Sequence, residues 1–126
     1  MGLVVDAGAL IAFERGDRHV AALLEATRRR KDRTVTSSGC VAQAWRGPGS
    51  RQALLARLLL GITEHSLNPD ISEAVGELCA ASRTSDVIDA HLALLAHDHD
   101  IVLTSDAKDL RTLRRAAGTT AHVKPC

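Results

Sequence analysis

Aromatic residues are nearly missing from this chain: it has one Trp, one Phe and no Tyr among 126 residues. Its core must therefore be built from Leu, Val, Ile and Ala. Cysteines are few. Cys40, Cys79 and Cys126 are odd in number and widely spaced, which does not suggest a disulfide framework or a zinc ribbon and suits a reducing, cytoplasmic setting. No apolar run approaches the length of a membrane span, and residues 2–5 are too short for a signal sequence. Excess charge of one sign is also lacking. The net charge is +1, so bulk electrostatics does not mark a nucleic-acid binder. The bases are nevertheless clustered, at 28–33, 46–57 and 111–115.

With 45% apolar and 25% charged residues, the composition is that of an ordinary globular protein. The length suits one domain, 1–126, able to bury a real core. No repeat or linker interrupts it. Short apolar runs alternate with helical patterns. Residues 2–6, 34–37, 62–67 and 101–104 read as strands and 120–123 as an edge strand. Helices are expected over 9–14, from a cap at Asp17, over 38–45, from a cap at Ser50 through Leu60, from Asp70, over 86–97 and over 108–117. Strands separated by helices imply an α/β fold with a central parallel sheet covered on both faces.

That topology gives the acidic residues a common destination. Asp6 closes the first strand and Asp106 follows the strand at 101–104, so both lie at the carboxyl edge of the sheet, where open α/β folds bind ligands. Asp86 and Asp89 share one face at a helix start. Two such charges about 4 Å apart repel by roughly 4 kcal/mol at an effective dielectric of 20, so either protons or a cation must neutralise the group. Carboxylate oxygens favour Mg²⁺ or Mn²⁺ over zinc. Each acid taken singly also has a structural reading: Asp86 as a helix cap, Asp106 and Asp109 as an acidic first turn. Asp6 differs, because an acid ending a buried strand is costly unless it is paired or bound.

Four segments, "VVDAGALIA" at 4–12, "VAQAWRG" at 41–47, "TSDVIDAHLALLA" at 84–96 and "VLTSDAKDL" at 102–110, resemble in order the acidic segments of PIN-domain ribonucleases of the VapC toxin family. The resemblance implies a three-layer α/β/α PIN-like domain that cleaves RNA with Mg²⁺ or Mn²⁺, forms a homodimer and is silenced by a VapB-type antitoxin. It implies catalytic and metal-binding roles for Asp6, Asp89 and Asp106, with Asp86 as a further ligand and Asp109 as an accessory. Two positions depart from the pattern. The family commonly has Glu where this chain has Gln43, and Ser or Thr where it has Gly8. Gln43 can ligate only through a neutral carbonyl oxygen, and the hydroxyl expected near Asp6 is missing. A weaker second-metal site follows, with Asp86 or Asp109 compensating. The same departures favour the alternative reading, a catalytically silent module that binds antitoxin or RNA without cleavage. A haloacid-dehalogenase domain would need a second acid at position 8, and a receiver domain a second acid beside Asp6.

Among the bases, Arg46 and Arg51 flank the segment that carries Gln43 and are the candidate RNA contacts. The bases of the run at 28–33 read as a solvated helix end, with phosphate contact as the alternative. Arg111, Arg114 and Arg115 suit a phosphate backbone or an acidic peptide. Trp45 reads as a core or interface residue, with stacking as the alternative, and the stripe Leu54, Leu55, Leu58 and Leu59 as core packing, with a groove for an antitoxin helix as the alternative. The sequence His97-Asp98-His99-Asp100 looks metal-like, but it crosses a helix end and a turn, so its side chains are expected to diverge into solvent.

Overall fold

The computed structural model describes residues 1–126, the side chain of Arg51 excepted. Five strands form one all-parallel sheet: β1 (Leu3–Val5), β2 (Thr34–Ser37), β3 (Thr63–His65), β4 (Ile101–Thr104) and β5 (His122–Pro125), in the order β3-β2-β1-β4-β5. The helices are α1 (Ala7–Glu14), α2 (Arg18–Arg29), α3 (Ser38–Ala44), α4 (Ala53–Leu60), α5 (Pro69–Ser82), α6 (Val87–Leu95) and α7 (Ala107–Ala117). α2, α3 and α4 gather with α1, while α5, α6 and α7 pack on one another. Right-handed crossovers explain this division. The connections from β1 to β2 to β3 step one way along the sheet and those from β3 to β4 to β5 the other, so the first two cover one face and the last two the opposite face. The result is the expected three-layer α/β/α architecture, consistent with a PIN-like fold.

The central strands are apolar on both faces because helices cover both. Leu3, Val4, Val5, Val35, Val102 and Leu103 are all buried, and Leu10, Leu92, Leu110 and Leu113 close over them. The two aromatics, Phe13 and Trp45, are partly buried against this core. The leucine stripe on α4 divides: Leu55 is fully buried, Leu58 and Leu59 are partly so, and Leu54 is exposed.

Several element ends differ from the sequence reading, each for a local reason. Asp6 leaves the first strand and becomes the cap of α1, accepting from the Ala9 N–H at 2.8 Å. Ser50 caps nothing with its side chain. It opens a single 3₁₀ turn, and α4 begins only at Ala53. Asn68, not Asp70, caps α5, with Pro69 at the first position, where its missing N–H costs nothing. The edge strand β5 lies two residues later than expected, in register with β4 from Ile101↔His122 onward.

Asp100 departs furthest from the sequence reading. It is buried rather than solvated, accepting from Gly2 N (2.7 Å), His97 N (2.9 Å) and the Arg33 guanidinium (2.6 Å). One carboxylate thus ties the start of β1, the turn before β4 and the residue before β2.

Candidate metal centre

The strand order reverses between β1 and β4, and such a switch point opens a crevice at the carboxyl edge. Asp6 ends β1 on one side and residues 104–106 leave β4 on the other. Asp6 is 5% exposed, and protein donors surround its carboxylate. One oxygen accepts from Ala9 N. The other accepts from the Thr104 hydroxyl (2.7 Å), the Ser105 N–H (2.9 Å) and, more weakly, the Ser105 hydroxyl (3.4 Å). The Thr104 hydroxyl in turn accepts from Asp106 N at 2.9 Å. Asp6 therefore binds the ends of β1 and β4 together and sets the start of α7.

The carboxylates that converge are those of Asp89, Asp106 and Asp109, which offer oxygens all within 4.8 Å of one another. Asp6 is not one of this group, although its charge reaches Asp89. Asp89 lies buried in the first turn of α6. Burial, the charges of Asp86, Asp106 and Asp6, and a hydrogen bond with Asp86 push its carboxyl up to about 7. Asp106 stands at the head of α7 without capping it. Burial and the neighbouring Asp109 raise its carboxyl as well. Asp86 is the cap of α6, accepting from Asp89 N at 3.0 Å. Its structural and electrostatic roles coincide, since the cap that starts the helix also charges the crevice.

Such an arrangement is short of positive charge. The raised carboxyls of Asp89 and Asp106 mark a site that a cation would complete. The donor set is all carboxylate oxygen and fits a metal ion.

The remaining candidates are more dispersed. Gln43 is exposed on α3. The Arg46 guanidinium folds back on the end of that helix, donating to Ala42 O (3.2 Å) and Trp45 O (2.9 Å). Arg51, the other candidate RNA contact, has its side chain outside the described residues. Gln52, which sequence reasoning did not single out, is buried and fixes this loop. It accepts from Arg46 N at 2.6 Å and donates to Glu14 (2.7 Å) and Ala44 O (3.1 Å). Thr104, Ser105, Ser37 and His91 were also missed. Their one sequence signal was a polar residue at the end of an apolar strand or on the inner face of a helix. Cys40 is fully buried behind the crevice, and burial pushes its thiol up to about 11, which leaves it unreactive.

Among the described residues no helix is long and apolar enough to cross a membrane. No protein-family model matches the chain, and no curated protein matches it.

Proposed function

We propose that the chain is a metal-dependent endoribonuclease, the VapC-type toxin of a toxin–antitoxin pair acting in the cytoplasm. The observation that carries this reading is the convergence of Asp89, Asp106 and Asp109 beside Asp6 at the switch point of an all-parallel sheet. Three of the four segments that resemble PIN domains supply those acids, and the second carries Gln43. The ion is Mg²⁺ or Mn²⁺, held by Asp89, Asp106 and Asp109. When bound, it supplies Lewis-acid chemistry, lowering the pKa of a water and neutralising charge on a phosphodiester.

The side chains divide the remaining work. Asp89 is the most buried of the three converging acids and fixes the floor of their site. Asp86 orients the first turn of α6 that carries Asp89. Asp6 acts through Thr104 and Ser105 to hold the head of α7, and with it Asp106. Arg46 would meet the RNA backbone only after leaving the carbonyls of Ala42 and Trp45 to which it now donates. The natural partners on this reading are RNA, a VapB-type antitoxin and a second copy of the chain.

A silent binding module is the second reading. The protein hydrogen bonds around Asp6 and the neutral, exposed Gln43 favour it. The two separate in one experiment, in which single-stranded RNA is incubated with wild type and Asp106→Asn in Mn²⁺. The nuclease reading expects Mn²⁺-dependent cleavage with 5′-phosphate ends, lost in the variant. RNA binding without cleavage, equal in both proteins, would establish the module instead.

A further inference from the structure

A second cluster of chemically able side chains lies at the same sheet edge but under the other strands. Ser37 ends β2, His65 ends β3, and the two are register partners. Partners in adjacent parallel strands project to the same face, with the strands about 4.8 Å apart. His91 of α6 packs down on that face, and its Nδ1 is hydrogen-bonded to Ser37 Oγ at 2.8 Å. The ring is 1% exposed and is locked by this bond. Among the described residues no hydrogen bond engages its other nitrogen, Nε2, and the residue lines a neighbouring cleft. That cleft is about 260 Å³ and also bears His65, Asn68 and Asp70. None of the acids of the crevice lines it.

These features supply part of what an imidazole metal site requires: two histidines share a cleft, and among the described residues no third acid or imidazole converges on them as the side chains stand. A ligating histidine has its second ring nitrogen held by a neighbouring polar group, which fixes the ring and leaves the first free to bind. Ser37 provides that support, because a hydroxyl can accept from both Gly39 N (3.2 Å) and the ring N–H. Two nitrogens and an oxygen select a borderline transition ion over Mg²⁺. We propose that this cleft is a separate transition-metal site, in which His65 and His91 bind Zn²⁺ through ring nitrogens, exposed Asp70 swings in as the third protein ligand, and water completes the shell. A bound ion would pin the edge strand β3 and the start of α5 to α6, the helix that carries Asp89.

The test is a calorimetric Zn²⁺ titration of the whole chain in excess Mg²⁺, which fills an all-oxygen centre without competing for imidazole. Wild type should bind one Zn²⁺, with the ring ¹H–¹⁵N signals of His65 and His91 both shifting. His65→Ala sits on a partly exposed edge and should keep its fold by circular dichroism while losing affinity by about tenfold or more. Asp109→Asn should bind as wild type does. Absence of Zn²⁺ binding in wild type overturns the proposal. So does binding that persists in His65→Ala but is lost in Asp109→Asn, which would place the ion in the acidic crevice. The nuclease reading is untouched by either result, since its own test is Mn²⁺-dependent cleavage.

Discussion

Ser105 occupies the space where a Cβ on Gly8 would stand, and from there its N–H and hydroxyl both reach Asp6. The hydroxyl missing at position 8 is thus supplied from across the sheet, by the residue after β4. Gly8 follows from that close approach. Restoring a serine at position 8 should therefore harm the protein rather than help it. Gly8→Ser is expected to cost about 1–3 kcal/mol through overpacking, read as a lower urea midpoint. Gly8→Ser combined with Ser105→Gly should recover most of the loss. A single Gly8→Ser variant as stable as wild type would show that the two positions do not compete.

The acidic crevice should leave a signature in the pH dependence of the metal-free protein. The folded carboxyl of Asp89 is raised to about 7 by burial and by Asp86, Asp106 and Asp6, whereas in the unfolded chain it titrates near the usual value of about 3.9. Below pH ~4 both states hold the proton. Between pH ~4 and ~7 the unfolded state releases it first, so stability falls as pH rises. With solvent screening at the crevice mouth, the loss is on the order of 2 kcal/mol. Asp89→Asn should flatten this slope and make the metal-free protein more stable at pH 8. Parallel pH profiles for the two proteins would rule out the repulsion.

The contrast between Asp89 and Asp100 shows what a sequence can convey. The sheet, its parallel sense and the placement of Asp6 and Asp106 at its carboxyl edge follow from hydrophobic periodicity and element order, and were legible. So was Asp86 as a cap. Which acids touch was not. Asp6 and Asp109 differ in how many donors the fold brings to them, and those donors (Thr104, Ser105) come from nearly 100 residues away. Asp100 read as part of a solvated turn because its partners, Gly2 and Arg33, are remote in sequence. His91 looked like one more residue on an apolar helix, and only the register of β2 with β3 gives it company.

Removing the Asp100 carboxylate should be among the more damaging single changes. Asp100→Ala leaves two backbone N–H groups without their acceptor and takes from the Arg33 guanidinium its charged partner, leaving it only Leu95 O, at a cost of about 3 kcal/mol. Burial works to raise the Asp100 carboxyl, but the His97 and Gly2 N–H groups and Arg33 outweigh it and hold it below the usual range. A depressed folded value means that the stabilisation is complete above pH ~4 and is lost as pH falls through the folded pKa. Urea unfolding at pH 7 and pH 2 should show a wide gap between wild type and variant at the first and a narrow one at the second.

Gln52 is expected to govern the loop before α4. Its side-chain oxygen accepts from Arg46 N, and its nitrogen donates to Glu14 and Ala44 O. Gln52→Ala should cost about 1–2 kcal/mol. The amide of Arg46 should exchange with deuterium faster than in wild type, while amides in β1 and β4 keep their protection relative to global stability. Unchanged exchange at Arg46 would mean that the loop is held by other contacts.

The most direct test of the acidic centre is Mn²⁺ binding followed by electron paramagnetic resonance, comparing wild type with Asp89→Asn, Asp106→Asn and Asp109→Asn. The account predicts that wild type binds Mn²⁺ and that each substitution weakens binding by about tenfold or more, since each removes one of three converging ligands. Wild type that leaves Mn²⁺ free in solution, or variants that bind it as tightly as wild type, would contradict a metal centre at these acids and with it the hydrolysis of RNA there.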